Sequence, residues 1–295
     1  MSVFEITDDV YGIDLEMFDG EVLAAYVITS DDPVLVETGY PRGIERLRDG
    51  LEAVGVPPAE LAHAVVSHVH IDHSGGAALL VEDNPDLSVY IHDVTADHLV
   101  DPADLTASSR EAMGEHFAEM GEPEPMPPEN LVRVSDDGTE IDSGDREIAL
   151  VPTPGHSPDH LAAWDPTSGV LFANEAIGSY YPRADRWVPP STLPRFDVDA
   201  VRASIDRLRA FDADSLAMSH FGCRADPSAA LSLAAETLDQ FERRIPELYR
   251  EHDDLAATEA AVRDELLGLD AYAEGIQAFE TRFQTRGFLR YAGVL

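Results

Sequence analysis

The 295-residue chain contains no lysine. All 20 of its basic residues are arginines, set against 57 aspartates and glutamates, for a net charge of −37 and a pI near 4.3. That balance excludes the basic footprint that binding to a nucleic-acid backbone requires. Cysteine is nearly absent. Cys223 alone excludes an internal disulfide and a cysteine-built zinc site. No run of about 18 apolar residues occurs, so no membrane span is expected. The opening residues MSVFEITDDV are acidic and lack a basic-then-apolar leader pattern, from which a cytoplasmic location is expected. A GxSxG nucleophile motif is also missing.

What is present is acid spread along the whole chain between clear apolar segments, with 44% hydrophobic residues. This argues for a folded chain rather than an acidic tail. The length suits one large domain, or one domain with an appendage. Such a surface repels itself in dilute buffer, and the screening length falls to about 3 Å at 1 M salt. The composition resembles that of proteins from salt-accumulating halophiles.

Short β-rich runs fill the first third: Phe4–Ile6, Tyr11–Leu15, Leu23–Thr29 and Val34–Glu37. The spacing of Ile44, Leu47, Leu51 and Val54 predicts an amphipathic helix over Gly43–Val54. Strands follow at Ala62–Ser67 and Leu87–His92, and Val94–Met120 reads as two helical pieces broken near Asp101–Pro102. GEPEPMPPEN (121–130) reads as a loop. More strands are expected at Leu131–Val134, Thr139–Ile141, Glu147–Pro152, Leu161–Trp164 and Val170–Ala173. A helix is expected over Asp197–Phe211, and the last strand at Ser215–Met218. From Ala225 to about Phe283 the pattern is helical. Two strand-and-helix blocks fit a layered α/β sandwich over residues 1–224, with a helical extension over 225–295. Leu231, Leu233, Leu238, Phe241, Ile245 and Leu248 give that extension an apolar face to bury.

The stretch SHVHIDHSGG (67–76) places His68, His70, Asp72 and His73 within six positions. On a strand, His68 and His70 would point the same way, and the turn would bring Asp72 and His73 round. Imidazole with carboxylate suits Zn, Fe or Mn better than Ca. Further donors each stand just past a strand: His156 in VPTPGHSPDH, Glu175 in VLFANEA and His220 in SLAMSHFG. Sites in α/β folds collect at such ends.

In this order the motifs resemble those of the metallo-β-lactamase superfamily: Glu37-Thr38-Gly39, then HxHxDH, then Pro-Gly-His, then a carboxylate after an apolar strand, then a final histidine. The resemblance spans residues 37–220 and implies an αββα four-layer sandwich with a C-terminal helical extension. It implies that His68, His70 and His156 bind one metal, and that Asp72, His73 and His220 bind a second. Glu175 stands where the family carries a bridging aspartate, and its side chain is one methylene longer. Glu37 is expected to accept a hydrogen bond from a ligand histidine. Two zinc ions, with iron or manganese as alternatives, would supply a hydroxide for hydrolysis of a small ester, thioester or lactone, with Asp72 essential to catalysis. Within the superfamily the chain is similar to the branch that includes hydroxyacylglutathione hydrolases. A mononuclear iron oxidoreductase of the persulfide dioxygenase type and a nuclease of the same fold are the alternatives.

His160, four after His156, is read as a packed histidine, and Cys223 as a structural thiol. His63, His92, His98, His116 and His252 are expected on the surface or at caps. The loop GSYYPRADRWVPPSTLP (178–194) follows the carboxylate and offers Tyr180, Tyr181, Arg183 and Trp187 to a small-molecule substrate. The same loop could instead make a homodimer contact.

Overall fold

The computed structural model describes residues 3–192 and 195–295. Seven strands form one sheet in chain order: β1 (Val3–Thr7), β2 (Val10–Asp14), β3 (Ala24–Ile28), β4 (Val34–Val36), β5 (His63–Val65), β6 (Ser88–His92) and β7 (Leu131–Val134). The first four pair antiparallel, and β4 to β7 pair parallel. A second sheet joins β8 (Thr139–Asp142), β9 (Glu147–Pro152), β10 (Leu161–Asp165) and β11 (Val170–Phe172). A separate hairpin, β12 (Ser179–Tyr181) with β13 (Arg186–Val188), comes next. The second sheet is then completed by β14 (Ser215–Ala217), parallel to β11, and by β15 (Cys223–Arg224).

Alternation explains why the two sheets stack. Tyr26, Ile28, Val34 and Val36 from the first sheet meet Ile148, Leu150, Leu161, Ala163, Val170 and Phe172 from the second in one core. The intervening residues Ala25, Val27, Leu35 and Leu171 point the other way, into the core under the helices. On the outer side of the first sheet come α1 (Ile44–Ala53), the four-residue α2 (Ile71–Ser74) and α3 (Ala77–Asp83). Next come α4 (Asp97–Val100), α5 (Ala103–Met113) and α6 (Phe117–Met120). The second sheet is covered by α7 (Val198–Leu208), whose start is capped by Asp197 accepting from the Ala200 N–H. The result is the expected αββα sandwich. Arg146, buried, pins the sheets together through Asp9, Asp145 and Asp165.

The C-terminal region forms α8 (Pro227–His252), α9 (Leu255–Val262) and α10 (Glu274–Tyr291). Helix α8 packs on α7, α10 and β13. Leu231, Leu238, Phe241, Ile245 and Leu248 are buried as expected, whereas Leu233 is 40% exposed. Leu233 falls on the solvent side of the 3.6-residue period that the others follow.

Three local features differ from the sequence reading. Strand β5 stops at Val65, so His68 and His70 sit on a loop rather than on a strand. The stretch from 178 forms the β12–β13 hairpin, closed by Asp185 at φ +48°; its end, Leu193 and Pro194, lies outside the described residues. Strand β15 adds a strand after Ser215–Met218, where two residues carry no periodic signal. Among the described residues, no helix is long and apolar enough to cross a membrane.

Candidate metal centre

Four loops at one end of the strands bring the donors together. The loop after β5 carries His68 and His70, and α2 carries Asp72 and His73. The loop after β9 carries His156, the loop after β11 carries Glu175, and the turn after β14 carries His220. Two groups result, His68–His70–His156–Glu175 and Asp72–His73–His220.

In the first group His68 Nε2 lies 2.9 Å from His70 Nδ1 and 3.1 Å from His156 Nε2, and His156 Nε2 lies 3.0 Å from His70 Nδ1. In the second, His73 Nε2 lies 3.2 Å from His220 Nε2, with Asp72 Oδ2 at 3.4 Å and 3.5 Å from those two nitrogens. One oxygen, Glu175 Oε2, touches both groups: 3.6 Å and 3.3 Å to His68 and His156, 3.2 Å and 3.5 Å to His73 and His220. The extra methylene of glutamate therefore places its carboxylate between the two groups.

These residues fit a metal. Around an ion with bonds of about 2.0–2.1 Å in tetrahedral array, donor atoms stand about 3.3 Å apart. Moreover, the remote ring nitrogens are already engaged. His68 Nδ1 meets Ser67 Oγ at 2.9 Å, and His73 Nδ1 meets Glu37 Oε1 at 3.1 Å. His156 Nδ1 donates to Pro190 O at 3.0 Å and His220 Nδ1 to Val22 O at 2.8 Å. In the last two rings Nδ1 carries a proton, so Nε2 is the atom that faces the centre and can bind a metal once it has no proton of its own. Lone pairs converging at 3 Å in a buried place need a cation between them.

The charges agree. Burial lowers the pKa of His156 to about 4, against the pull of Glu175. Burial pushes His68 well below the usual histidine range, and its imidazole neighbours push it further. Burial would also lower His220, but Glu175 and Asp72 outweigh it and hold the ring up at about 10. Burial would raise Asp72 and Glu175, yet the surrounding imidazoles keep both carboxyls well below their ordinary values. Without a metal, protons on His73 and His220 balance the two carboxylates; a metal would displace them.

Glu37 joins the halves of the site. It is fully buried in the left-handed region at φ +73°, and its carboxylate faces His73 Nδ1, Ser219 Oγ and the Ser67 N–H. Glu37→Ala should leave three buried donors short of a partner. We expect a metal affinity about 10–100-fold weaker and a folding free energy about 3 kcal/mol lower, read by competition with a chromogenic chelator and by urea titration. Unchanged affinity would show that Glu37 does not orient His73. Close packing behind it depends on Gly76, where a Cβ would stand 2.1 Å from Thr38 O.

Two supporting residues were not singled out as functional in the sequence. His160 is buried, contacts Thr153 Oγ1 at 2.9 Å through Nδ1, and accepts the Glu175 N–H at 3.2 Å through Nε2. Asp159 is buried and accepts from the Val69 N–H at 2.9 Å, fixing the backbone between His68 and His70. Only their place in GHSPDH, beside His156, hints at this. His92 is buried rather than at the surface, and His98 lines the cavity described next. Burial raises the Cys223 thiol to about 11, in keeping with an inert thiol.

The centre opens into a cavity of about 470 Å³, to which His70, Asp72, His156, Glu175 and His220 contribute. Of the four aromatic-loop residues offered to substrate, Tyr181 lines it, 3% exposed, and donates to Glu280 Oε1 at 2.6 Å. The other three face elsewhere. Tyr180 donates to Asp185, Trp187 donates to Ile177 O, and Arg183 pairs with Asp19 and stacks over Tyr272. Glu280, on α10, was missed because helical periodicity marks a polar residue as outward-facing.

A family model described as "Metallo-beta-lactamase superfamily" matches residues 19–220. The chain belongs to the metallo-beta-lactamase superfamily. Among curated relatives, it is 28% identical over 194 residues to an acyl-coenzyme A thioesterase of Gallus gallus, covering 59% of this chain and 63% of that protein. It is 25% identical over 175 residues to an anaerobic nitric oxide reductase flavorubredoxin of Vibrio vulnificus, covering 59% of this chain and 31% of that protein. The chain thus spans less than two thirds of the length of either. An archaeal metallo-beta-lactamase superfamily protein from Sulfolobus tokodaii shares the fold at TM-score 0.70 and 16% identity, covering 96% of this chain and 99% of that one.

Proposed function

We propose that this superfamily member is a metal-dependent hydrolase of a small ester, thioester or lactone, in the branch that includes hydroxyacylglutathione hydrolases. The observation that carries the reading is Glu175 Oε2, shared between two donor groups at the floor of one cavity. Such donors suit a pair of zinc ions, which acidify a bound water and polarise a carbonyl. In this reading His68, His70 and His156 hold one ion, and Asp72, His73 and His220 the other, with Glu175 between.

The chain's own residues orient and shield. Ser67, Glu37, Pro190 O and Val22 O fix the imidazole planes. Asp72 lines the cavity with a side chain 20% exposed, so it can take up the proton that the attacking water gives up. Water oxygen bonds to the carbonyl carbon, the bond to the alcohol or thiol breaks, and that proton ends on the leaving group. The products are an acid with an alcohol or thiol, or a hydroxy acid from a lactone.

Asp72→Ala and chelated protein should lose at least about 100-fold in turnover of such substrates, and zinc should restore the chelated protein alone. Equal activity in the variant would defeat the reading. Similarity to flavorubredoxins favours a second one, iron oxidoreduction. Metal content of protein purified in high salt separates them: two zincs for hydrolysis, iron for redox chemistry.

A further inference from the structure

We propose that the cavity beside the metal centre is a binding site for an apolar acyl chain, carried on a head group without multiple negative charges. Its lining includes apolar side chains from three separate parts of the chain: Met17 and Phe18 after β2, Met113 on α5, and Ile276, Phe279 and Phe283 on α10. Phe279 and Phe283 pack with their rings tilted by 31° and their centroids 4.3 Å apart. Methionines add adaptable apolar surface suited to a flexible chain. The volume of about 470 Å³ lies within the range of about 300–1,000 Å³ typical of small-molecule sites. It exceeds what an acetyl group needs. At the rim stands Val94, 63% exposed, so the apolar surface continues outward.

Charge selects the head group. Among the described residues lining the cavity, Arg195 is the one arginine, and the chain has no lysine and a net charge of −37. A polyanionic carrier such as coenzyme A would find one arginine to receive its phosphates, and in dilute buffer a repulsive field as well. An uncharged or singly charged head meets no such barrier. The position of the scissile bond rests on the hydrolase reading; the seat of the chain does not.

The test has two arms on the metal-loaded, full-length protein. In the first, calorimetry follows binding of butanol, hexanol and octanol, which need no turnover. Affinity should rise by up to about fourfold per methylene. In the second, p-nitrophenyl acetate, butanoate, octanoate and dodecanoate are compared by kcat/KM, together with octanoyl-coenzyme A. The rate constant should climb to a best length. Ala112→Trp, which fills part of the α5 wall, should move that length down, and Phe283→Ala should move it up. Two shifts in opposite directions cannot come from misfolding. If alcohols bind progressively but no ester is cleaved, the chain site stands and the hydrolase reading falls. If acetate is cleaved in a chelator-sensitive way while both series are flat, the hydrolase reading stands and the chain site is overturned. Faster turnover of octanoyl-coenzyme A than of the neutral octanoate would overturn the assignment of the head group.

Discussion

A chain ended at Asp226 should be insoluble or unfolded. Among the large apolar side chains of the removed region that are at most 7% exposed are nine on α8 and α10: Leu231, Leu238, Phe241, Ile245, Leu248, Ile276, Phe283, Phe288 and Leu289. At about 1.5–3 kcal/mol each, they are worth roughly 14–27 kcal/mol as an upper bound. That exceeds a typical folding free energy of about 5–15 kcal/mol. Polar ties would go as well: Tyr181 donates to Glu280, Gln284 to Pro189 O, and Ser191 to Phe283 O. The cavity would lose the wall formed by Ile276, Phe279 and Phe283. Soluble expression, far-ultraviolet circular dichroism and metal binding of the shortened chain decide the matter. A soluble product with cooperative unfolding and unaltered metal affinity would show the region to be dispensable.

The central strands were legible as short apolar runs because they bury both faces: Tyr26, Ile28, Val34 and Val36 face the other sheet, and the residues between them face the helices. The metal donors were legible because HxHxDH packs four candidate ligands into six positions and its partners each follow an apolar strand. Glu280 and His160 were not, since their roles depend on contacts across 99 and 15 positions that leave no local pattern. The same holds for Tyr180, Arg183 and Trp187. Composition marks them as aromatic-loop candidates, but hairpin pairing turns them away from the cavity and Tyr181 towards it. Whether Glu175 reaches both donor groups was likewise undetermined until the loops around it were placed, because one methylene moves a carboxylate by more than an ångström.

Thermal stability should climb steeply from dilute buffer to molar KCl. With 57 acids and 20 arginines, most carboxylates face like-charged neighbours. Some arginines are shared among several acids: Arg202 holds Asp199, Asp239 and Glu242, and Arg244 holds Glu247, Glu251 and Glu265. One exposed pair is worth about 0–1 kcal/mol, so these clusters relieve local repulsion without cancelling the net charge. Repulsion summed over the surface can rival the whole folding free energy. Molar salt shortens its range to about 3 Å, below the spacing of most surface charges. For a chain of this size, about 1 kcal/mol moves the midpoint by roughly 2–4 °C, so several kcal/mol of relieved repulsion should raise it by 10 °C or more. Metal should add a separate increment, because it binds the folded state and neutralises the carboxylates Asp72 and Glu175. That increment should vanish with chelator at every salt concentration, while the salt effect persists. Circular dichroism melts across a KCl series, with and without chelator, measure both. A midpoint that stays level or falls with added salt would mean that the arginine clusters already neutralise the surface field, and the acidity would then need a cause other than adaptation to salt.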